Sequence, residues 1–130
     1  VADINILMNS MTGKTFTKEQ LINYYAARKY MPLHLKSEDD RTIKKKINPQ
    51  GFTIADSDTE NLIQCLLHMR RIITVHEGLR WNDIKRYGIE ISHNRDGQAD
   101  DVLLVNDLRR AMQIPQEVIA AGLEANPRNN

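Results

Sequence analysis

The feature that most constrains the fold is a helical pattern that covers residues 57–88. Apolar residues and one histidine recur at three- and four-residue spacing for about five turns, as in an amphipathic helix. Ser57 to Glu60 has the form of a capping box that begins this helix. Gly78 allows a bend, and Gly88 has the position of a C-cap. The segment therefore predicts a long helix and a short one that meet at a corner. The repeating residues are Leu62, Leu66, Met69, Ile72, Ile73 and His76, and then Trp81, Ile84 and Tyr87.

Charged side chains lie on both sides of this predicted corner. Four arginines surround two carboxylates, and the planar guanidinium group favours directed, bidentate pairing with a carboxylate. We therefore expect ion pairs across the bend that anchor the two helices, and we expect Trp81, at helical spacing, to pack in the protein. The charged residues are Arg70, Arg71, Arg80, Arg86, Glu77 and Asp83.

The same segment resembles the end of a known protein family. Residues 70–88 read RRIITVHEGLRWNDIKRYG, and LRRAMQIP follows at residues 108–115 and NPR at residues 126–128. This is similar to the SusD/RagB family, whose members end with a helix of the form ERRxELAFEGxRWxDLxRWG and then with IP and NP dipeptides. Met69, Ile73 and His76 depart from that pattern. The residues that match it are Arg70, Arg71, Glu77, Gly78, Arg80, Trp81, Asp83, Arg86 and Gly88.

The resemblance implies a fold and a function. It implies a mainly α, irregular helical unit with long loops, like the C-terminal part of the SusD-like helical-repeat fold. Family members are several-fold longer, so we expect residues 1–130 to be the end of a longer protein. That protein would be a surface-exposed lipoprotein of the outer membrane, held there only by an N-terminal lipid anchor that is absent from this chain. It would bind a glycan or another nutrient without catalysis and deliver it to a SusC-like TonB-dependent transporter.

The rest of the chain divides into three parts by its patterns. Residues 2–29 contain two predicted helices, the first ended by Gly13 and the second begun by a capping box from Thr17 to Gln20. Residues 30–56 lose the helical periodicity and form a long loop, with room for a short hairpin. Residues 89–130 are irregular, with a turn at residues 94–97 and a last helix at residues 116–123. We expect the chain from Asn126 onward to fray.

The long loop supplies the candidate ligand contacts. Aromatic rings stack on the C–H faces of sugars, and amides bond to hydroxyl groups. Phe52, Tyr30 and Asn48 are therefore the predicted ligand-binding residues. An alternative hypothesis is a helical interaction module, which completes an upstream domain or docks on the transporter without touching ligand. The apolar residues of the first helix motivate it.

Several other functions are not favoured by the sequence. Glu77 and Asp83 beside Trp81 suggest a saccharide hydrolase, but their spacing around a bend fixes no carboxylate separation, and we expect no enzyme. A net charge of +1, from 18 basic and 17 acidic residues, does not indicate a nucleic-acid partner. The basic run at residues 44–46 follows acidic residues 38–40 and indicates a solvated loop. No apolar stretch of 18 residues, long enough to span a membrane, is present.

Metal and cofactor sites are likewise not indicated. The four histidines have no metal-ligand spacing. Asn94, Asp96 and Gly97 suggest a calcium loop, but Ser92 and Leu103 stand at its first and twelfth positions, where carboxylates are needed. We therefore expect no metal and no cofactor. The single cysteine, Cys65, has no partner for an internal disulfide and is expected to be buried, and His76 is expected in the core or at its boundary.

Overall fold

The chain is mainly helical, with long loops and one small sheet. A computed structural model describes residues 2–128. The helices are α1 (Ala2–Thr12), α2 (Lys18–Ala26), α3 (Ser57–Ile73), α4 (Arg80–Arg86) and α5 (Gln116–Ala120). The strands are β1 (Ile91–His93) and β2 (Asp101–Leu103), and 3-10 turns lie at Glu38–Asp40 and Leu108–Arg110. The predicted mainly α class is confirmed, and the sheet is an addition to it. Within residues 2–128, no helix combines the length and the apolar character that crossing a membrane requires.

The first two helices form largely as their local sequence predicts. Gly13, with φ +68°, follows the end of α1. The Thr17 hydroxyl accepts a hydrogen bond from the Gln20 backbone N–H at 3.1 Å, and the Gln20 amide oxygen accepts one from the Thr17 N–H at 2.8 Å. The capping box at the start of α2 is therefore confirmed. The helix ends at Ala26, three residues before the predicted end at Lys29.

Helix α3 differs from its prediction at both ends and in its buried face. Its N-cap is Asp56, whose carboxylate accepts from the Thr59 N–H at 2.7 Å, so the box predicted from Ser57 is wrong by one residue. It ends at Ile73, and His76 is exposed, so the prediction of a core or boundary histidine is wrong. The buried residues of α3 are Asn61, Gln64, Cys65 and Leu67. Several residues of the predicted apolar stripe are exposed instead, namely Leu66, Ile72 and Ile73.

Helix α3 contributes to two hydrophobic clusters. Cys65 is buried in the first, as predicted, together with residues of α2. Leu67 is buried in the second, together with Ile84 of α4 and Ile89 after it. Because α3 belongs to both clusters, it connects α2 to the α4 corner. The first cluster contains Leu21, Tyr25 and Cys65, lined by Ile4, Phe16, Ile43 and Leu62. The second contains Leu67, Ile84 and Ile89, lined by Ile47, Ile63, Trp81, Tyr87 and Ile91.

The long loop is confirmed, but part of it is built into the core. Tyr30 and Lys44 form an isolated parallel bridge, so the predicted hairpin is absent from this part of the loop. Lys44 is only 5% exposed, and its ammonium donates to the Tyr25 carbonyl at 3.1 Å and to Asn61 Oδ1 at 2.8 Å. The prediction of a solvated basic run is therefore wrong for Lys44, because two oxygens replace the water that the ammonium loses.

The C-terminal segment folds back on the α4 corner. Strands β1 and β2 pair antiparallel, with Ile91 opposite Leu103. The Arg110 guanidinium donates to the carbonyls of Ile84 at 3.3 Å and of Ile89 at 2.6 Å. Asn126 forms hydrogen bonds with Met112 and Gln113, and the Arg128 guanidinium donates to the carbonyls of Leu108 and Ala111. The prediction that the chain frays from Asn126 onward is therefore wrong for residues 126–128. Asn129 and Asn130 lie outside the described residues.

Candidate functional site

The corner between α3 and α4 is held by one of the predicted ion pairs. Arg70 Nε lies 3.2 Å from Asp83 Oδ1 and 3.3 Å from Oδ2. Asp83 is buried, whereas Arg70 is partly exposed, so the buried carboxylate has a charged partner at the surface that offsets its loss of water. The pairing of Arg70 with Asp83 is confirmed, but a single nitrogen is shared by the two oxygens instead of the two parallel bonds that we expected.

The other expected pairs at this corner do not form. Glu77 is exposed and makes no ion pair within residues 2–128. Arg86 lies against aromatic rings, with its guanidinium carbon 5.7 Å from the Phe52 centroid and 6.0 Å from the Tyr87 centroid. The predicted pairing of Glu77 is therefore wrong. The bend at Gly78, with φ +68°, and the packing of Trp81 against the second cluster agree with the sequence pattern.

Gly88 ends α4 and also contacts the long loop. Its N–H donates to the Lys85 carbonyl at 3.4 Å, and the Ile89 N–H donates to the Ile84 carbonyl at 3.0 Å, which is the Schellman arrangement. The predicted C-cap is confirmed. A Cβ atom on Gly88 would overlap the Asn48 carbonyl.

Two of the predicted ligand residues lie at this end of α4. The Asn48 N–H donates to the Tyr87 carbonyl at 2.8 Å, so its backbone is fixed to the corner. The Phe52 ring packs edge-on against Tyr87, with centroids 5.7 Å apart. Phe52 is 39% exposed and leaves part of its ring available to a ligand.

Tyr30 lies in a different environment, at the edge of a cavity that both polar and apolar side chains line. Its hydroxyl donates to Glu60 Oε1 at 2.5 Å, and the Lys44 ammonium lies 4.6 Å from its ring centroid. Burial and the Glu60 carboxylate raise the pKa of Tyr30 to about 12, so the ring stays neutral at neutral pH. We call the adjoining space the Tyr30 cavity; it measures about 240 Å³. It is lined by Tyr30, Met31, Pro32, Leu33, Lys45, Lys46, Glu90 and Ser92.

The predicted ligand residues thus fall into two groups. The Tyr30 cavity is lined by neither Phe52 nor Asn48. Sequence reasoning missed Lys45, Lys46, Glu90 and Ser92, because these residues come from two distant segments that no motif connects. Chemically, the cavity combines an aromatic ring with ammonium, carboxylate and hydroxyl groups, which are the groups that orient a polyhydroxylated ligand.

A second cavity, of about 420 Å³, is almost entirely apolar. The Tyr25 hydroxyl and His68 Nδ1 lie 2.8 Å apart at its wall. Burial lowers the pKa of His68 and raises the pKa of Cys65 and of Tyr25, so these groups are uncharged at neutral pH. The cavity therefore offers little to a charged ligand. Helices α1, α2 and α3 line it through Ile4, Met8, Gln20, Leu21, Tyr24, Tyr25, Cys65, His68 and Met69, together with Phe16.

Comparisons with known proteins do not identify a family for this chain. No protein-family model, curated protein or solved structure matches the chain. Among residues 2–128, no group of three or more potential ligands is arranged to hold a metal ion.

Proposed function

We propose that this chain is the non-catalytic C-terminal part of a SusD/RagB-like surface lipoprotein. Such a protein binds a glycan or another nutrient at the outer membrane and delivers it to a SusC-like TonB-dependent transporter. Two features support the proposal. The first is the sequence pattern of residues 70–88, and the second is the Tyr30 cavity, whose lining suits a saccharide.

The carboxylates of the corner support a binding role over a catalytic one. Asp83 is buried and bonded to Arg70, whereas Glu77 is exposed. A glycosidase needs both carboxylates to face the bond that it cleaves. A carboxylate that is held by an arginine inside the protein does not meet that requirement.

Saccharide binding to variants tests the proposal and separates the two groups of candidate residues. Tyr30→Ala removes the ring beside the cavity, and we expect it to weaken binding of a soluble polysaccharide about tenfold, as for a stacked aromatic contact. Phe52→Ala tests the α4 end separately. Tyr24→Ala is the matched control, because Tyr24 is 47% exposed, close to the 44% of Tyr30, and lies outside the Tyr30 cavity.

The readout is the dissociation constant from affinity electrophoresis or calorimetry, measured on the full chain. If Tyr30→Ala and Tyr24→Ala bind as the unaltered chain does, the Tyr30 cavity is not the ligand site. If Phe52→Ala alone weakens binding, the site belongs to the end of α4.

An alternative function is favoured by a separate observation. Large apolar side chains are exposed on α1 and just after α3, including Ile6 at 71% and Val75 at 66%. Ile73 and Val75 are both exposed and lie two residues apart in the chain, and apolar surface that is exposed together marks contacts with other proteins or domains. The chain would then be a helical interaction module that docks on an upstream domain or on the transporter.

Charge substitutions distinguish this alternative from ligand binding. Ile73→Lys with Val75→Lys should abolish co-purification with the transporter if the module hypothesis holds, and should leave saccharide affinity unchanged. Retention of the complex by this double variant would count against the docking role of this surface.

A further inference from the structure

Three cationic side chains line one small cavity on the side of α3. Lys45 comes from the long loop, Arg71 from α3 and Arg80 from the start of α4. We call these three residues the cation cluster. Leu67 and Ile89, which are buried, line the same cavity and keep water away from part of it. Charge interactions are stronger beside such an apolar wall than in bulk water.

The cation cluster has no directly paired carboxylate in the described part of the chain, because none of its three members forms an ion pair within residues 2–128. Asp83 acts on Arg80 at longer range but is bonded to Arg70. Burial and the charges of Arg80 and Arg71 lower the pKa of Lys45, and burial and Arg71 lower the pKa of Arg80. The cluster therefore carries mutual repulsion that an anion would relieve.

The backbone segments that carry the cation cluster are also held in place by the surrounding fold. The Gln64 amide oxygen accepts a hydrogen bond from the Lys45 N–H at 3.4 Å, and its amide nitrogen donates to the Lys45 carbonyl at 2.5 Å. Arg71 lies seven residues after Gln64, about two turns along the same face of α3. The Arg70 and Asp83 pair fixes α4, and with it Arg80. Because the backbone positions of the three side chains are fixed before binding, less entropy is lost when a ligand arrives.

We propose that the cation cluster binds an oxyanion, namely a sulfate, phosphate or carboxylate group. The cavity that the cluster lines measures about 10 Å³, which is room for a water molecule only. The anion would thus lie at the mouth, where Arg71 is exposed. Lys45 also lines the Tyr30 cavity, so an acidic group on a bound saccharide would reach the cluster. That link to saccharides, unlike the anion site itself, rests on the proposed function.

Titration of the full chain with inorganic sulfate tests the anion site without any saccharide. Calorimetry and backbone amide NMR shifts at low, constant ionic strength should show saturable binding. Arg71→Gln and Arg80→Gln should each weaken it at least tenfold, because a hydrogen bond to a charged group contributes about that much. Arg71 is exposed, so its replacement is not expected to impair folding even if that of Arg80 does.

The matched control is Arg41→Gln, which removes the same charge at an exposed residue that pairs with Glu38. It should bind sulfate as the unaltered chain does. No saturable binding, or an equal loss in Arg41→Gln and Arg71→Gln, would overturn the proposal, because net charge alone would then explain the result.

Two further ligands distinguish the sources of the anion. Inorganic phosphate and galacturonate are titrated against the same variants. If galacturonate binds more tightly than sulfate and phosphate, and if Arg71→Gln and Tyr30→Ala both weaken its binding, the cluster is assigned to acidic saccharides. If sulfate and phosphate bind more tightly than galacturonate, and if Tyr30→Ala leaves their binding unchanged, the anion site is supported and is separate from the proposed saccharide function.

Discussion

Replacement of Gly88 by alanine should destabilise the α4 corner strongly. Gly88 has φ +56°, where a residue with a Cβ atom costs about 1–2 kcal/mol. The added Cβ would also overlap the Asn48 carbonyl and displace the loop. Loss of the hydrogen bond from Asn48 to Tyr87 costs about another 0.5–1.5 kcal/mol. Gly88→Ala should therefore lower the free energy of unfolding by about 1.5–3.5 kcal/mol.

Two other glycines separate the backbone effect from the overlap. Gly97 has φ +69° with nothing within 4 Å of the added Cβ, so Gly97→Ala should show the backbone cost alone. Gly51 has no positive φ and the same open space, so Gly51→Ala should be close to neutral. Urea unfolding followed by Trp81 fluorescence measures all three variants, since Trp81 packs against the cluster that contains Ile84. If Gly88→Ala is no less stable than Gly97→Ala, the inference that the loop around Asn48 stabilises the α4 corner is wrong.

Two more predictions concern buried polar groups. Lys44→Met should lower the free energy of unfolding, measured in urea, by about 1–3 kcal/mol, because Asn61 and the Tyr25 carbonyl lose their donor. The control Lys46→Met, at an exposed neighbouring residue, should change it by no more than about 0.5 kcal/mol. Equal losses of stability in the two variants would refute the structural role of the buried Lys44 ammonium. The lowered pKa of His68 means that the unfolded chain binds more protons below the ordinary value of 6.5, so stability should fall as the pH decreases through that value. Unfolding curves at about pH 7.5 and about pH 5 measure this, and His68→Gln should flatten the dependence; an unchanged dependence in the variant would assign it to other groups.

The parts of the fold that sequence predicts are those fixed by neighbouring residues. The capping box at Thr17 and the C-cap at Gly88 depend on backbone groups a few residues away, and both form. The bend at Gly78 needs a positive φ, which glycine adopts without strain. The pairing of Arg70 with Asp83 crosses this bend and was still predictable, because the two helices are adjacent in the chain.

The buried face of α3 was not predictable from apolar spacing. Asn61 and Gln64 are buried because they bond to Lys44 and Lys45 of the distant loop. A pattern that counts apolar residues assigns such polar positions to the surface, so the predicted stripe was rotated away from the true one.

The candidate site was predicted only in part, for a related reason. Tyr30 was identified by its residue type, but the polar groups that share its cavity come from Lys45 and Lys46 and from Glu90 and Ser92. Tertiary pairing brings these segments together, including a hydrogen bond from the Ser92 hydroxyl to the Leu33 carbonyl. No spacing within one segment contains that information.

The most direct test of the binding role is a thermal melt of the chain with and without pooled soluble polysaccharides. Helical circular dichroism and Trp81 fluorescence are followed together, because a ligand that binds the native state raises its unfolding temperature. The account predicts a cooperative transition that rises with one pool and no longer rises in Tyr30→Ala. A transition that no pool shifts, in a chain that folds cooperatively, would contradict the proposed saccharide binding.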